Sequence, residues 1–514
     1  MSSTPVAEGM YGRAGAVVDL LVTHWPDSVG VRQIAGELGL SRTTVNRILM
    51  SLSERGASRA LPSGKYRLGH RILVDAWAAS HRSRLLGQLR IQIQELSART
   101  NETALLVLLD EVNLQGRTIF EAVSSRRIRY RVSPGSRVPL DRGALGRAML
   151  AGMPREQLAR MIEQGSPTTH ELETVREQSL QELRKQQFVV SREERIPGAM
   201  GICSPILVGG DVVGCIGLTI PRVREAELDV AELGSLVASA SNLAATVIAL
   251  SNSGFDEPIT PPTTESPSSV TDRFVTVLEH AYLQGSAPIG AIGRIANCST
   301  PAAHRLVEEM VASGLFRKSG SNLVPGVLAI TWSSTLAELE PCSLLREALD
   351  SLASEVGETV AFGLLEPEEA SLVLVEVCEG SKPIQYHLGQ GDRLHLRSGA
   401  AGKSVLAFME EKRSKEIIGV GESNRNPEAI HHELAVIRSD LAAVSYGEQI
   451  SGAVGVAAPV FNGDQVIGAV TISTPRYRFD ETRITEFKNA VRRTASSLTI
   501  LNTAADIPLR SMRA

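Results

Sequence analysis

The run IAGELGLSRTTVNRILMSLSERG, residues 34–56, decides how the chain begins. Ile34, Ala35 and Leu38 recur at helical spacing, Gly39-Leu40 interrupts them, and Val45, Ile48, Leu49 and Leu52 resume as an i, i+3, i+4, i+7 stripe. Ser41 stands where an N-cap hydroxyl belongs and Gly56 where a helix ends. Upstream, Ala16, Val17, Leu20 and Leu21 mark a helix over 13–24, and downstream SRALPSGKYRLG (58–69) predicts two short strands about Pro62-Ser63-Gly64. Three helices and a hairpin predict a winged helix-turn-helix.

The stripe of the third helix faces a core, so its polar start faces outward. Ser41, Arg42, Thr43, Thr44, Asn46 and Arg47 lie there. A helix that enters a DNA major groove meets base edges with its N-terminal residues, where Arg pairs with guanine and Asn with adenine. Lys65 and Arg67 on the hairpin are placed to meet phosphates. Residues 29–70 carry seven basic and two acidic side chains, net +5, in a chain whose net charge is −4. That local excess is what a duplex-binding module needs.

The chain then repeats itself. Residues 102–150 laid on 358–406 without a gap agree at 14 of 49 positions, among them Glu102/Glu358, Gly143/Gly399 and Gly146/Gly402. GAMGICSPILVGGDVVGCIGLTIPR (198–222) agrees with GAVGVAAPVFNGDQVIGAVTISTPR (452–476) at nine of 25. The order of elements is kept, which indicates a duplicated unit. Between the copies, SNSGFDEPITPPTTESPSS (251–269) holds four prolines and reads as a semi-extended linker.

The second copy has the same scaffold with weaker chemistry. Ser299 takes the cap position, Arg305 corresponds to Arg47 and His304 to Asn46, but Thr300 replaces Arg42, Pro301 replaces Thr43 and Ala302 replaces Thr44. Residues 288–330 carry four basic and two acidic side chains, net +2. The second reader is expected to bind DNA more weakly through Ser299, Thr300, His304 and Arg305.

Residues 102–250 alternate strand-like runs (102–110, 117–123, 202–208, 212–220) with helical ones (144–151, 154–163, 171–187, 226–250), an α+β pattern that the second copy echoes. Five scattered cysteines form no C-x-x-C pair, and His431-His432 reads as a solvated turn, so neither a disulfide framework nor a metal site is expected. Residues 1–10 show no leader pattern, and the apolar stretch 231–250 is broken by Ser235, Ser239, Ser241 and Asn242, so it reads as a buried helix. A cytoplasmic protein without a membrane partner is expected. No phosphate-loop, G-x-S-x-G or H-E-x-x-H pattern occurs, so no catalytic residues and no cofactor are expected.

In this order, IAGELGLSRTTVNRILMSLSERG, GKYRLG, VPLDRGALGRAML and GICSPILVGGDVVGCIGLTIPR together resemble the IclR family of bacterial regulators, with a divergent copy over 270–505. The resemblance implies a winged helix-turn-helix, a linking helix and a GAF-like α/β effector domain, here in tandem. The division is then a reader over 1–80, a sensing domain over 81–250, the linker, a degenerate reader over 270–334 and a second sensing domain over 335–505. It also implies a transcriptional regulator, a repressor before an activator, that binds a double-stranded operator under control of a small-molecule effector such as an organic acid. Pairing inside one chain and pairing between two copies both remain open.

The family's ligand pocket falls on Gly143, Ala144, Glu193, Gly201, Gly217 and Thr219, and in the second copy on Gly399, Ala400, Glu448, Gly455, Thr471 and Ser473. Free N–H groups at the Gly-Ala helix starts suit a carboxylate, and Thr219, Thr471 and Ser473 add hydroxyls. Two other readings stand beside this one. The chain is a metabolite-binding sensor or enzyme using its basic helices for protein contacts, or only its first reader touches DNA.

Overall fold

A computed structural model describes residues 9–163, 169–250, 259, 267–382, 387–419, 427–449 and 451–505. Most of the proline-rich linker lies outside the described residues. The first reader runs α1 (Met10–Thr23), β1 (Val29–Gly30), α2 (Val31–Leu38), α3 (Arg42–Glu54), β2 (Ser58–Ala60) and β3 (Lys65–Leu68). Its antiparallel sheet has the order β1-β3-β2. Gly39 closes α2 in the left-handed region at φ 64°, and the Ser41 hydroxyl caps α3 by accepting from the Thr44 N–H at 3.1 Å. Val45, Ile48, Leu49 and Leu52 are buried, as the stripe requires.

Two helices follow where the resemblance implied one linking helix, α4 (His70–Arg82) and α5 (Arg84–Thr100). The first sensing sheet then takes β4 (Thr103–Asp110), β5 (Gln115–Ala122), β6 (Arg137–Val138), β7 (Val189–Arg192), β8 (Ala199–Val208) and β9 (Asp211–Pro221). Its six strands stand in the order β6-β5-β4-β9-β8-β7. Between β6 and β7 come α6 (Gly143–Gly152), α7 (Arg155–Glu163) and α8 (Thr169–Gln186), and after β9 comes α9 (Val230–Leu250). Helix α6 packs on one face of the sheet, α5 and α9 on the other. Leu106, Ile202 and Ile216 bury against α5 and α9, and Val107, Cys203 and Cys215 against α6. This is the period-2 alternation of a sheet covered on both faces. Helix α9 is long and apolar enough to cross a membrane, but Leu233, Val237, Ala238, Ser241 and Ala244 are buried on the β8 side of this domain.

The second half repeats the plan. Its reader has α10 (Val270–Gln284), β10 (Ala287–Pro288), α11 (Ile292–Ile295), α12 (Thr300–Ala312), β11 (Phe316–Ser319) and β12 (Asn322–Pro325). Then come α13 (Val327–Leu336), α14 (Pro341–Val356), β13 (Thr359–Glu366), β14 (Ser371–Cys378), β15 (Arg393–His395), α15 (Gly399–Leu406), α16 (Glu411–Gly419) and α17 (Pro427–Asp440). The chain closes with β16 (Ala443–Tyr446), β17 (Ala453–Asn462), β18 (Gln465–Pro475) and α18 (Ile484–Ala504). The sheet order β15-β14-β13-β18-β17-β16 matches the first sheet strand for strand. Its architecture is therefore two winged readers, each followed by a helix-covered sheet, an α+β fold.

One identity in the repeat has a structural cause. Glu102 is buried and bonded by the Arg224 guanidinium, and Glu358 is buried between Arg478 at 2.6 Å and Lys382 at 2.7 Å. A buried carboxylate without a paired cation costs several kcal/mol, so each copy supplies its own. His431 and His432, expected in a turn, are exposed on α17.

The two readers pack on each other within the chain. Helix α1 meets α10, α4 meets α13, α1 meets α12 and α10 meets α3, so each copy's first helix braces the other copy's third. Val17, Val18 and Leu21 share one core with Phe274, Leu278 and Trp332. Polar groups close the seam: Arg55 with Asp272 at 3.1 Å, Arg71 with Glu279, and the Tyr11 N–H on Glu309 at 2.8 Å. The sensing domains attach unequally. Helix α4 lies on α14 and α18 of the second, whereas α13 lies on β4 and β5 of the first.

Candidate functional site

The first reader presents the groups its sequence promised. Ser41, Arg42, Thr43, Asn46 and Arg47 are exposed at the start of α3, and Thr44 is half-buried. Lys65 is exposed at the hairpin. Arg67, expected beside phosphates, points to the protein instead. Its guanidinium pairs with Glu347 of α14 at 2.8 Å, and Arg59 reaches the same carboxylate at 2.8 Å. Arg67 also stacks over Trp25, 5.2 Å from the ring centroid. One carboxylate between two arginines, all largely out of water, holds them more firmly than an exposed pair would.

In the second reader Ser299 has the cap position but makes no side-chain cap bond, and Pro301 in the first turn has no N–H to offer it. Thr300, His304 and Arg305 are exposed. His304 lies 3.9 Å from Glu308, and Lys318 of β11 binds Glu308 at 2.6 Å. Met50 is the residue of α3 that corresponds to Glu308 at the offset of the His304 match. Helix α12 thus carries a carboxylate where α3 carries a thioether.

Each six-stranded sheet holds a cleft at the start of its inner helix. Gly143 opens α6 at φ 74° and Gly399 opens α15 at φ 78°, the left-handed region that a side chain strains. The clefts enclose about 400 and 440 Å³ of space open to solvent. The first brings together Gly143, Ala144, Gly201 and Thr219, and the second brings together Gly399, Ala400, Glu448, Gly455, Thr471 and Ser473.

Two expected residues fall outside the first cleft. Glu193 turns away to pair with Arg222 and to accept from the Gly198 N–H at 3.0 Å. Gly217 packs beneath Leu145 and Cys203, with no room for a Cβ. The residue that reaches the helix start is Glu194, whose carboxylate accepts from the Gly143 N–H at 2.9 Å, as Glu448 does from Gly399 at 3.1 Å. A signal for this was in the repeat: the offset of 254 that relates the last strands puts Glu448 on Glu194, and Gly447 on Glu193. Both Glu193 and Gly447 are left-handed, at φ 59° and 64°.

These bonds correct a second expectation, that the helix-start N–H groups are free. The Ala144 N–H donates to Ser191 at 2.8 Å and that of Ala400 to Ser445 at 2.9 Å. Beneath them Arg147 binds Glu194 at 2.9 Å and also Glu182, and Lys403 binds Glu448 at 2.6 Å and also Glu433. Both cations are buried, so each carboxylate is fixed by a partner that cannot turn to solvent. Among the described residues no cluster of His, Cys, Asp and Glu is placed to hold a metal ion.

The family model for the C-terminal domain of the bacterial transcriptional regulator IclR matches residues 78–245 and again 334–500, together more than half of the chain. The chain is a member of the IclR family. Curated relatives are named as transcriptional regulators, most of them HTH-type, and each aligns with less than half of this chain. A probable HTH-type regulator ArcR of Halobacterium salinarum is 28% identical over 243 residues, covering 44% of this chain and 89% of its own length. The regulator TtgV of Pseudomonas putida is 28% identical over 200 residues, covering 37% and 73%. An IclR regulator from Alicyclobacillus acidocaldarius, solved as a crystal structure, is 23% identical, covers 46% of this chain and 96% of its own, and gives a TM-score of 0.39. This IclR-family chain is therefore a DNA-binding transcriptional regulator that carries the family's C-terminal domain twice.

Proposed function

We propose that this chain is a cytoplasmic repressor that places two readers on one operator and releases it when a small organic acid fills a sensing cleft. The readers are residues 1–80 and 270–334, the sensing domains 81–250 and 335–505, joined by 251–269. What carries the reading is the exposed start of α3, with Arg42, Asn46 and Arg47 on a helix whose other face is locked in the core shared by both readers. A rigid helix that offers bidentate donors at its N-terminus is the geometry of major-groove readout.

Control follows from the attachments. A ligand that binds one arrangement of the sensing domains more tightly shifts the population toward it, and α4 and α13 connect those domains to the readers. Mobility shift on the DNA upstream of its own coding region, at several salt concentrations, tests the reading. Arg47→Ala is expected to weaken binding about tenfold to a hundredfold, the worth of one bidentate base contact. Salt-insensitive binding, or an Arg47→Ala variant that binds like the parent, refutes it.

A further inference from the structure

The two clefts share a frame and differ in the side chain laid across it. In both, the first two N–H groups of the helix are taken by the protein's own oxygens, Glu194 and Ser191 in one, Glu448 and Ser445 in the other. An incoming anion meets a satisfied helix start and a tethered carboxylate that competes at high effective concentration. Any attraction for charge has to come from the rim.

The first rim has it. Arg195 lies over Gly143, its Cβ 3.2 Å from where a Gly143 Cβ would stand. Among the described residues its guanidinium is bonded to the Arg137 carbonyl at 3.2 Å, and no carboxylate pairs with it. Arg142 lines the same cleft, and its nearest carboxylate is Asp141 at 3.7 Å. Partial burial and then the charge of Arg142 hold the Arg195 pKa below its ordinary value. Arg195 is half-buried beside the largely exposed Arg142, and an anion bound by both offsets their repulsion. At the corresponding positions the second cleft has Ser398 and Gln449, with the Gln449 side chain over Gly399 as Arg195 is over Gly143. Its lining holds Glu448 and no cation, and it offers the hydroxyls of Thr471 and Ser473.

We infer that the two sensing domains take different classes of ligand: the first a small carboxylate held between Arg142 and Arg195, the second an uncharged molecule bearing hydroxyl or amide groups. This rests on the reading of the clefts as effector sites. The rims support the division: with Glu194 and Glu448 each paired to a buried cation, the first cleft adds Arg142 and Arg195 and the second adds no charged side chain.

Benzoate and benzamide, nearly identical in shape and different in charge, are the first probes, backed by further matched pairs of small acids and their amides. Calorimetry and thermal melting on the full chain are expected to show one acid bound per chain. Exchanging the rim for that of the second cleft, R142S together with R195Q, is expected to weaken acid binding about tenfold to a hundredfold, the worth of a charge-assisted hydrogen bond, and to leave amide binding in place. The converse pair, S398R with Q449R, is expected to raise the stoichiometry for acids to two. Acid binding that ignores both exchanges overturns the assignment while leaving the clefts as sensing sites. If no acid and no amide of any pair shifts the melting or gives heat, the effector reading itself falls and takes this inference with it.

Discussion

Asp75 of α4 and Trp332 of α13 occupy equivalent places, 257 residues apart, at the seam between the readers. The Trp332 indole N–H donates to Asp19 of α1 at 3.0 Å. In the mirrored contact the partner is Glu279 of α10, so Asp75 faces a second carboxylate, and Arg71 pairs with that one. Among the described residues neither Asp75 oxygen has a hydrogen-bond partner, and both are buried. Burial first, and then Glu279, raise the Asp75 pKa well above 3.8, and Arg71 offsets only part of this. A carboxyl whose pKa is raised by folding stabilises the fold fully below its unfolded value and loses that contribution as pH rises through the folded one. Asp75→Asn is therefore expected to be more stable than the parent at about pH 8 and little different at about pH 4, read by urea melts across that range. An unchanged pH slope in the variant would mean that Asp75 ionises normally. Residues whose role is local were legible beforehand: Ser41 caps three positions from its partner, and Val45 to Leu52 declare a face. Asp75 was not, because the carboxylate it faces comes from the other copy, and Glu194, 51 residues from the Gly143 it accepts from, was marked only by its match to Glu448 in the repeat.

At the scale of elements, α4 misleads by its polar face. His70, Arg71, Asp75, His81 and Arg82 share one side of the helix as a solvated stripe would, yet every residue from His70 to Ser80 is buried, and Arg71 pairs with Glu279 of the other copy. Helix α12 was legible as a helix, and its surroundings support the proposal that the second reader binds DNA more weakly. Glu308 on its exposed face draws Lys318 away from where a phosphate would sit and meets His304 on the next turn. A carboxylate facing a duplex repels it, and a lysine already paired contributes less counterion release. Glu308→Gln is expected to tighten operator binding several-fold and to steepen the dependence of affinity on salt by about one unit of slope, the share of one recovered phosphate contact. Arg305→Ala is expected to cost less than Arg47→Ala. Equal losses at the two arginines, with no effect of Glu308→Gln, would show that both readers engage DNA alike.

The whole molecule depends on the readers being one folded body rather than two beads on a tether. Phe274, Leu278 and Trp332 are almost fully buried in a core that also contains Val17, Val18 and Leu21, and Glu347 ties Arg59 and Arg67 of the first copy to α14 of the second. Such a seam resembles the inside of a domain, and interfaces of that kind hold without a covalent link. If it holds here, one chain supplies both readers, and a single chain per operator is expected by light scattering of the DNA complex. The stricter test removes the tether. With a protease site introduced between Ser251 and Pro258, the cleaved halves are expected to elute together at micromolar concentration and to bind operator as the intact chain does. At high dilution the cleaved form alone is expected to lose affinity, because the linker's contribution is an effective concentration and not a contact. Halves that separate on cleavage would show that the linker holds the readers together, and the proposed coupling from cleft to reader through α4 and α13 would then lack a rigid frame to act on.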